Sequence, residues 1–346
     1  MPQSIREGIA DGGGIFRARP GEHDDTAPHP VRPACSRIPT GWPGWTWWQT
    51  RWVTETITAA AAGTWTLGDL TVNRLGFGAM RLTGSAAFDL GTPRDRERSI
   101  QVLRRAVELG VNHIDTAAFY FSRLRSANEL INRALAPYPD DLVIVTKVGP
   151  GRDPSGEWLP WARPDQLRGQ VEENIRQLGR EHLDVVNLRM YGPDPLAEHF
   201  GALVELRDAG LIRHLGISAV EAAQLAEAQA IAPVVCVQNR FGIGASPANR
   251  DLVRLCGEQD VAFVPYFAIA GEGGARGPRS SESDEVLAIA RAHGASAAQV
   301  RLAWTLQQGP HVLAIPGTGD PEHLAENVAA AALRLTPDEM TRLDEA

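Results

Sequence analysis

The chain is predicted to fold as an α/β protein of the (β/α)8 TIM-barrel type, and three observations point there. From residue 63 to 346, eight short apolar runs alternate with amphipathic stretches. Continuous β-rich runs separated by helical patterns imply parallel strands covered on both faces. Eight such units within about 270 residues match the usual size of a closed barrel. Finally, several runs end on polar residues, and the C-terminal ends of the strands are where a barrel carries its reacting groups.

Taken in order, the runs are "NRLGFGAM", "VNHIDTA", "LVIVTKV", "LDVVNLR", "HLGIS", "VVCVQNR", "AFVPYF" and "VLAIPG". Helical patterns lie between them: "RERSIQVLRRAVELG", "ANELINRALA", "RPDQLRGQVEENIRQLG", "LAEHFGALVELRDAG" and "EAAQLAEAQA". Three of these end on glycine, a helix stop that only an unhindered residue adopts cheaply. A doubly wound sheet is the competing arrangement. It would want a glycine fingerprint after its first strand, and "GFGAMR" supplies only the first two glycines with no clear helix start.

Bulk properties narrow the function. Of the 346 residues, 43% are hydrophobic, ample for a buried core, and the net charge is −8. An acidic balance argues against a nucleic-acid partner, which needs basic stripes. No apolar run reaches the roughly 18 residues of a membrane span. "ITAAAAGTWTL" lacks both the length and the basic flank of a secretory signal. Cys35, Cys236 and Cys256 are widely spaced, with no CxxC pair. A cytoplasmic protein with reduced thiols is expected. Residues 1–62 stand apart: rich in Gly, Pro and charge, without helical or strand period, and carrying five tryptophans between Trp42 and Trp52. That composition predicts a disordered or non-native N-terminal extension, since it cannot bury enough area to offset its ordering entropy. An aromatic docking segment is the functional alternative.

The polar residues that end the runs are Asp115, Lys147, Arg189, Ser218 and Gln238 with Asn239. In "HIDTAAFY" a strand closes on Asp115 and Tyr120 follows five residues later. Either Asp115 caps a turn and Tyr120 packs on the rim, or both face one cavity and handle a proton.

These stretches resemble the aldo-keto reductase superfamily. "IDTAAFY" is similar to the Asp-Thr-Ala-x-x-Tyr stretch after its second strand, and "VIVTKV" to the third strand ending in a catalytic lysine. "GIS" and "VQN" resemble the fifth and sixth strand ends, and "IPGTGDPEHLAENVAA" the cofactor-binding strand and helix. The match runs in order over about residues 64 to 345. It implies a (β/α)8 barrel and reversible hydride transfer between NAD(P)H and a carbonyl carbon, without metal or flavin.

The residues are suited to that chemistry. A carbonyl that receives hydride becomes an alkoxide and needs a proton donor within hydrogen-bond reach. Tyr120 is the candidate donor, although an ordinary phenol titrates near 10. A cation at about 4 Å interacts with phenolate by roughly 4 kcal/mol at an effective dielectric of 20, enough to lower the pKa by up to about three units. Lys147 is expected to be that cation, with Asp115 holding its ammonium in place. Where most of the family carries a histidine at the end of the fourth strand, this chain has Arg189, and His182 comes too early to substitute. A bacterial subset that includes pyridoxal reductases is similar in ending this strand with Asn-Leu-Arg. An arginine can stabilise developing negative charge but cannot shuttle a proton. A structural ion pair with a carboxylate is its other reading.

The resemblance also implies cofactor contacts. Ser218 and Gln238 match the positions that bind the nicotinamide carboxamide, while the asparagine expected after the serine is Ala219. Tyr266 matches the aromatic that stacks on the nicotinamide, and Gly271 to Gly274 the loop over the pyrophosphate. Gly317 and Thr318 occupy phosphate-loop positions, and Glu326 and Asn327 the adenine contacts. His323 stands where many members carry an arginine for the 2′-phosphate. NADPH is the expected cofactor, with NADH open. Met80, Trp158 and Trp161 are candidates for an apolar wall around a small carbonyl substrate, pyridoxal-like or a secondary metabolite. A nucleotide-binding regulatory subunit with little turnover is the alternative function.

Overall fold

A computed structural model describes residues 56–85, 90–269 and 282–345. Most of the expected extension, residues 1–55, lies outside the described residues. Its last part is folded: Ala59–Ala62 form a 3-10 turn with Ala59 and Ala62 buried. The Ala59 amide donates to the Leu109 carbonyl at 2.9 Å, and Arg74 and Arg334 donate to the carbonyls of Ala62 and Ala61. Residues 59–62 thus pack against the body that follows them. Small alanines let the turn lie close against the body, and composition does not reveal that.

Next comes a hairpin absent from the expected runs. Its strands β1 (Thr64–Leu67) and β2 (Leu70–Asn73) are antiparallel and joined by Gly68 and Asp69, a two-residue turn. Gly68 has φ +67°, a left-handed conformation that costs glycine little. Asp69 is held by Arg213 and His214, each at 2.6 Å.

Seven parallel strands then form one sheet in sequence order: β3 (Phe77–Gly78), β4 (His113–Asp115), β5 (Val143–Val148), β6 (Leu183–Arg189), β7 (Ile212–Ser218), β8 (Cys236–Gln238) and β9 (Ala262–Phe263). An order without reversal is not that of a doubly wound sheet. The eighth expected run forms no ladder. It makes single parallel bridges instead, Val312 to Phe263 and Ala314 to Leu75. Leu313 donates to Phe263 O at 2.9 Å and Gly76 to Ala314 O at 2.8 Å, so the run touches both edges of the sheet. Pro316 has no N–H with which to extend the pairing. Seven of the eight expected runs thus pair as strands of one parallel sheet. The second glycine of "GFGAMR" serves this junction: a Cβ on Gly78 would come within 2.6 Å of Ile315 O.

Alternate residues of a strand face opposite ways, and the packing separates accordingly. Val143, Val145, Val185, Cys236, Ala262, Val264 and Leu313 form an inner cluster with Leu67 and Val72 of the hairpin. Ile114, Ile144, Val186, Leu188, Ile217, Val237 and Phe263 join the larger cluster with the helices. Those helices are α1 (Arg96–Glu108), α2 (Ala127–Leu135), α3 (Leu167–Leu178), α4 (Ala197–Asp208), α5 (Ala222–Gln229), α6 (Pro247–Glu258), α7 (Asp284–His293), α8 (Ala297–Leu306), α9 (Pro321–Ala329) and α10 (Pro337–Asp344). Gly110, Gly179 and Gly210, which follow α1, α3 and α4, all have positive φ. Among the described residues, no helix is long and apolar enough to cross a membrane.

Candidate active site

The inner face of the sheet continues past its valines to polar side chains. Two residues beyond Val145 is Lys147, and two beyond Cys236 is Gln238. The register sets Lys147 level with Asn187, Arg189 with Ser218, and Ser218 with Gln238. Asp115, Tyr120, Lys147, Arg189, Gln238 and Tyr266 line one cavity, together with Gly317 and Met80. Asn239, one residue out of phase, turns away. Its side chain donates to Val220 O at 2.6 Å and accepts from Val220 N at 3.0 Å. Asn239 thus leaves the expected polar ring.

The Lys147 ammonium donates to both oxygens of Asp115, at 2.6 and 2.8 Å, and to the Thr116 carbonyl at 2.9 Å. Both side chains are almost fully buried, at 2% and 5% exposure, so water cannot compete for the pair. Gln238 donates to Asp115 Oδ2 at 2.7 Å and fixes the carboxylate from the other side. Beneath this layer His113 is fully buried, and desolvation lowers its pKa to about 4, so it adds no charge. Cys236 donates to Asn187 Oδ1 at 3.2 Å. Burial pushes the Cys236 and Cys256 thiols up to about 12, which leaves both inert as nucleophiles.

Tyr120 sits on a loop, yet that loop is tied down. Its backbone N–H donates to Ala117 O at 3.0 Å, and Ala127 donates to Tyr120 O at 2.9 Å. Arg152 donates to the carbonyls of Phe119 and Phe121, each at 3.2 Å. The ring centre lies 5.0 Å from Lys147 Nζ. The expectation of an acidified phenol is corrected. Burial raises the Tyr120 pKa above its ordinary value, and Asp115 adds to the rise. Lys147 and Arg189 oppose this without reversing it. Desolvation of the phenolate outweighs two cations, one of which Asp115 already neutralises.

Arg189 turns into the cavity. Its guanidinium lies 5.3 Å from the Tyr266 ring centre and makes a long contact of 3.5 Å with Ser218 Oγ. Among the described residues no carboxylate pairs with it. Trp161 does not line the cavity but serves as a strut, donating to the Arg189 carbonyl at 3.0 Å and stacking on His199 at 3.9 Å. Trp158 leans on Phe119 and is 43% exposed, flanking Arg189 at the mouth with Leu159 and Tyr191.

Ala219 has φ +58°. A left-handed conformation costs an L-residue other than glycine or asparagine roughly 1–2 kcal/mol. Ala219→Asn is expected to raise stability by up to about 1 kcal/mol, because asparagine tolerates this conformation. Chemical denaturation measures the change. A midpoint at or below that of the parent chain would show that residue 219 stores no strain.

The cavity's polar groups fit a nicotinamide cofactor. Gln238 Oε1 is buried without a hydrogen-bond partner among the described residues, an acceptor suited to an amide N–H from a ligand. Tyr266, half-buried, offers a ring toward the same space. The remaining residues named for the cofactor are dispersed. Thr318 Oγ1 accepts from Asp320 N at 3.0 Å. His323 is exposed on the first turn of α9, Glu326 is half-buried and Asn327 buried on the same helix. None of these lines the cavity, and Gly271 lies outside the described residues. Arg81 and Phe267 do line it, without having been singled out from sequence. Phe267 has φ +64°, a strained value for a bulky residue that no local pattern announces.

The chain is similar to several known proteins. The family model described as Aldo/keto reductase family matches residues 74–346. Pyridoxine 4-dehydrogenase of Escherichia coli (strain K12) is 43% identical over 291 residues, covering 82% of this chain and 98% of that protein. A thermostable aldo-keto reductase bound to the inhibitor epalrestat superposes with a TM-score of 0.66 at 30% identity, covering 80% of this chain and 95% of the other. An aldo-keto reductase from Klebsiella pneumoniae in complex with NADPH gives 0.65 at 26% identity, covering 80% and 91%. A strand-end lysine pinned by an aspartate beside a tyrosine, together with a family match over nearly the whole described body, places this chain in the aldo/keto reductase family.

Proposed function

We propose that this aldo-keto reductase uses NADPH to reduce a small aldehyde or ketone, with pyridoxal-like aldehydes as the substrate class. The observation that carries the reading is the buried Lys147–Asp115 pair set against Tyr120 in one cavity. When bound there, the nicotinamide would supply the hydride. Ser218 Oγ and Gln238 Oε1 would hold its carboxamide, and Tyr266 would cover its ring, as the resemblance implies. Tyr120 gives its proton to the carbonyl oxygen. Lys147 favours the phenolate left behind, and Asp115 keeps the ammonium from swinging away. Arg189, with no carboxylate partner among the described residues, can donate to the same oxygen as charge develops. The same reading takes residues 312–317 as the eighth member of a closed (β/α)8 barrel, supported by their hydrogen bonds to both edges of the sheet.

Pyridoxal is named because the 43%-identical relative is a pyridoxine 4-dehydrogenase. Following NADPH absorbance with a panel of aldehydes that includes pyridoxal tests the reading. Turnover on pyridoxal above the panel average is expected. Tight NADPH binding without turnover on any aldehyde would instead favour a regulatory nucleotide-binding subunit.

Arg189→Met is expected to lower kcat by about 10²–10³, the usual cost of removing one donor to a developing oxyanion. Arg189→His should retain part of the rate and move the alkaline limb of the reduction profile upward, because removing a cation raises the Tyr120 pKa further. If both variants match the parent in rate and profile, the guanidinium does not reach the carbonyl.

A further inference from the structure

An arginine whose charge no carboxylate matches among the described residues stands outside the lining of the cavity. Arg94, in the loop before α1, rests its guanidinium on Gly319, between Thr318 and the N-cap of α9. A Cβ on Gly319 would sit 2.1 Å from Arg94 Nε and 2.3 Å from Cζ, so only glycine allows this approach. Arg94 Nε is buried and has no hydrogen-bond partner among the described residues. No carboxylate among them answers its charge. Asp95 caps α1 by accepting from Arg98 N at 2.8 Å. Asp320 caps α9 by accepting from Glu322 N at 2.9 Å, and it pairs with the Arg98 guanidinium. Arg81, on the cavity wall beside Gly317, is near enough to Arg94 for that charge to depress its pKa, after the larger effect of burial. Arg94 thus brings a guanidinium to the loop at Gly317–Asp320. Desolvating a guanidinium nitrogen with nothing to bond is costly unless an anion completes the shell.

His323, which stands at the position implied for 2′-phosphate recognition, is exposed on the first turn of α9 and is not a permanent cation. We infer that Arg94, reaching in from the loop before α1, recognises the 2′-phosphate of NADPH in place of a cation on α9. This rests on the NADPH reading above. Gly319 is the paired requirement, since a side chain there evicts the guanidinium.

The test is equilibrium binding without substrate, titrating protein fluorescence with NADPH and separately with NADH, which differ only in that phosphate. Arg94→Met is expected to weaken NADPH binding on the order of ten- to hundredfold and to leave NADH within about twofold. Arg94→Lys should recover part of the loss, and Gly319→Ala should reproduce it with Arg94 intact. Equal weakening of both cofactors would overturn the assignment, because Arg94 would then serve a phosphate common to both. Unchanged NADPH affinity would overturn it as well, as would a selective loss from His323→Ala alone. A parent chain that binds neither cofactor would instead remove the NADPH reading itself, and this inference with it.

Discussion

Tyr120→Phe should lower kcat for carbonyl reduction by about 10²–10⁴ while the Kd for NADPH stays within about twofold. The magnitude is that of a lost general acid. The selectivity follows from the phenol's place beside Lys147, away from the α9 residues. The parent enzyme should show a matching pH signature. Reduction needs the protonated phenol, and burial holds the Tyr120 pKa above its ordinary value of 10.0. Reduction should therefore hold steady through neutral and mildly alkaline pH and decline only above the usual phenol range. Alcohol oxidation needs the phenolate and should rise with pH over that same range. Steady-state rates in both directions between about pH 6 and pH 11 measure this. A reduction limb that falls well below about pH 10, and disappears in Tyr120→Phe, would show that bound cofactor reverses the effect of burial. Retention of a tenth or more of the parent rate by Tyr120→Phe would remove the tyrosine from the mechanism altogether.

Lys147→Met carries the second large effect, on stability as well as on rate. Asp115 is 4% exposed and accepts two hydrogen bonds from the ammonium. Deleting one partner of a buried pair leaves an uncompensated charge and typically costs about 3–5 kcal/mol. Turnover should also fall, because Lys147 is the largest influence opposing the rise in the Tyr120 pKa. The double variant Asp115→Leu with Lys147→Met separates the two roles. Removing both charges should recover most of the stability, while the rate stays low. Denaturant midpoints and kcat on the same preparations give the comparison. If the double variant is no more stable than Lys147→Met, the cost lies in lost packing around the substituted side chain rather than in a stranded carboxylate.

The fold class and the strand ends were legible in the chain itself. Seven of the eight apolar runs are parallel strands in sequence order, because a run covered on both faces is apolar throughout and needs no partner to be recognised. Asp115, Lys147, Arg189, Ser218 and Gln238 stand out for the same reason: a polar residue closing an apolar run is a local signal. The hairpin at Thr64–Asn73 was nearly legible through Gly68 and Asp69, though its strands are too short to stand out from the run that follows.

Other features depend on groups far apart along the chain. Whether Gln238 or Asn239 faces the cavity is set by the phase of the strand against its neighbours, and that phase comes from the packing of the inner valines. The direction of the Tyr120 shift turns on how completely the ring is buried; spacing to Lys147 supplies the opposing charge but not the desolvation that outweighs it. Gly319 reads as one more loop glycine until Arg94 is seen lying on it. Local sequence records which groups are available and the period of their alternation. Burial, approach and charge compensation are sums over neighbours that only the folded chain brings within a few ångströms.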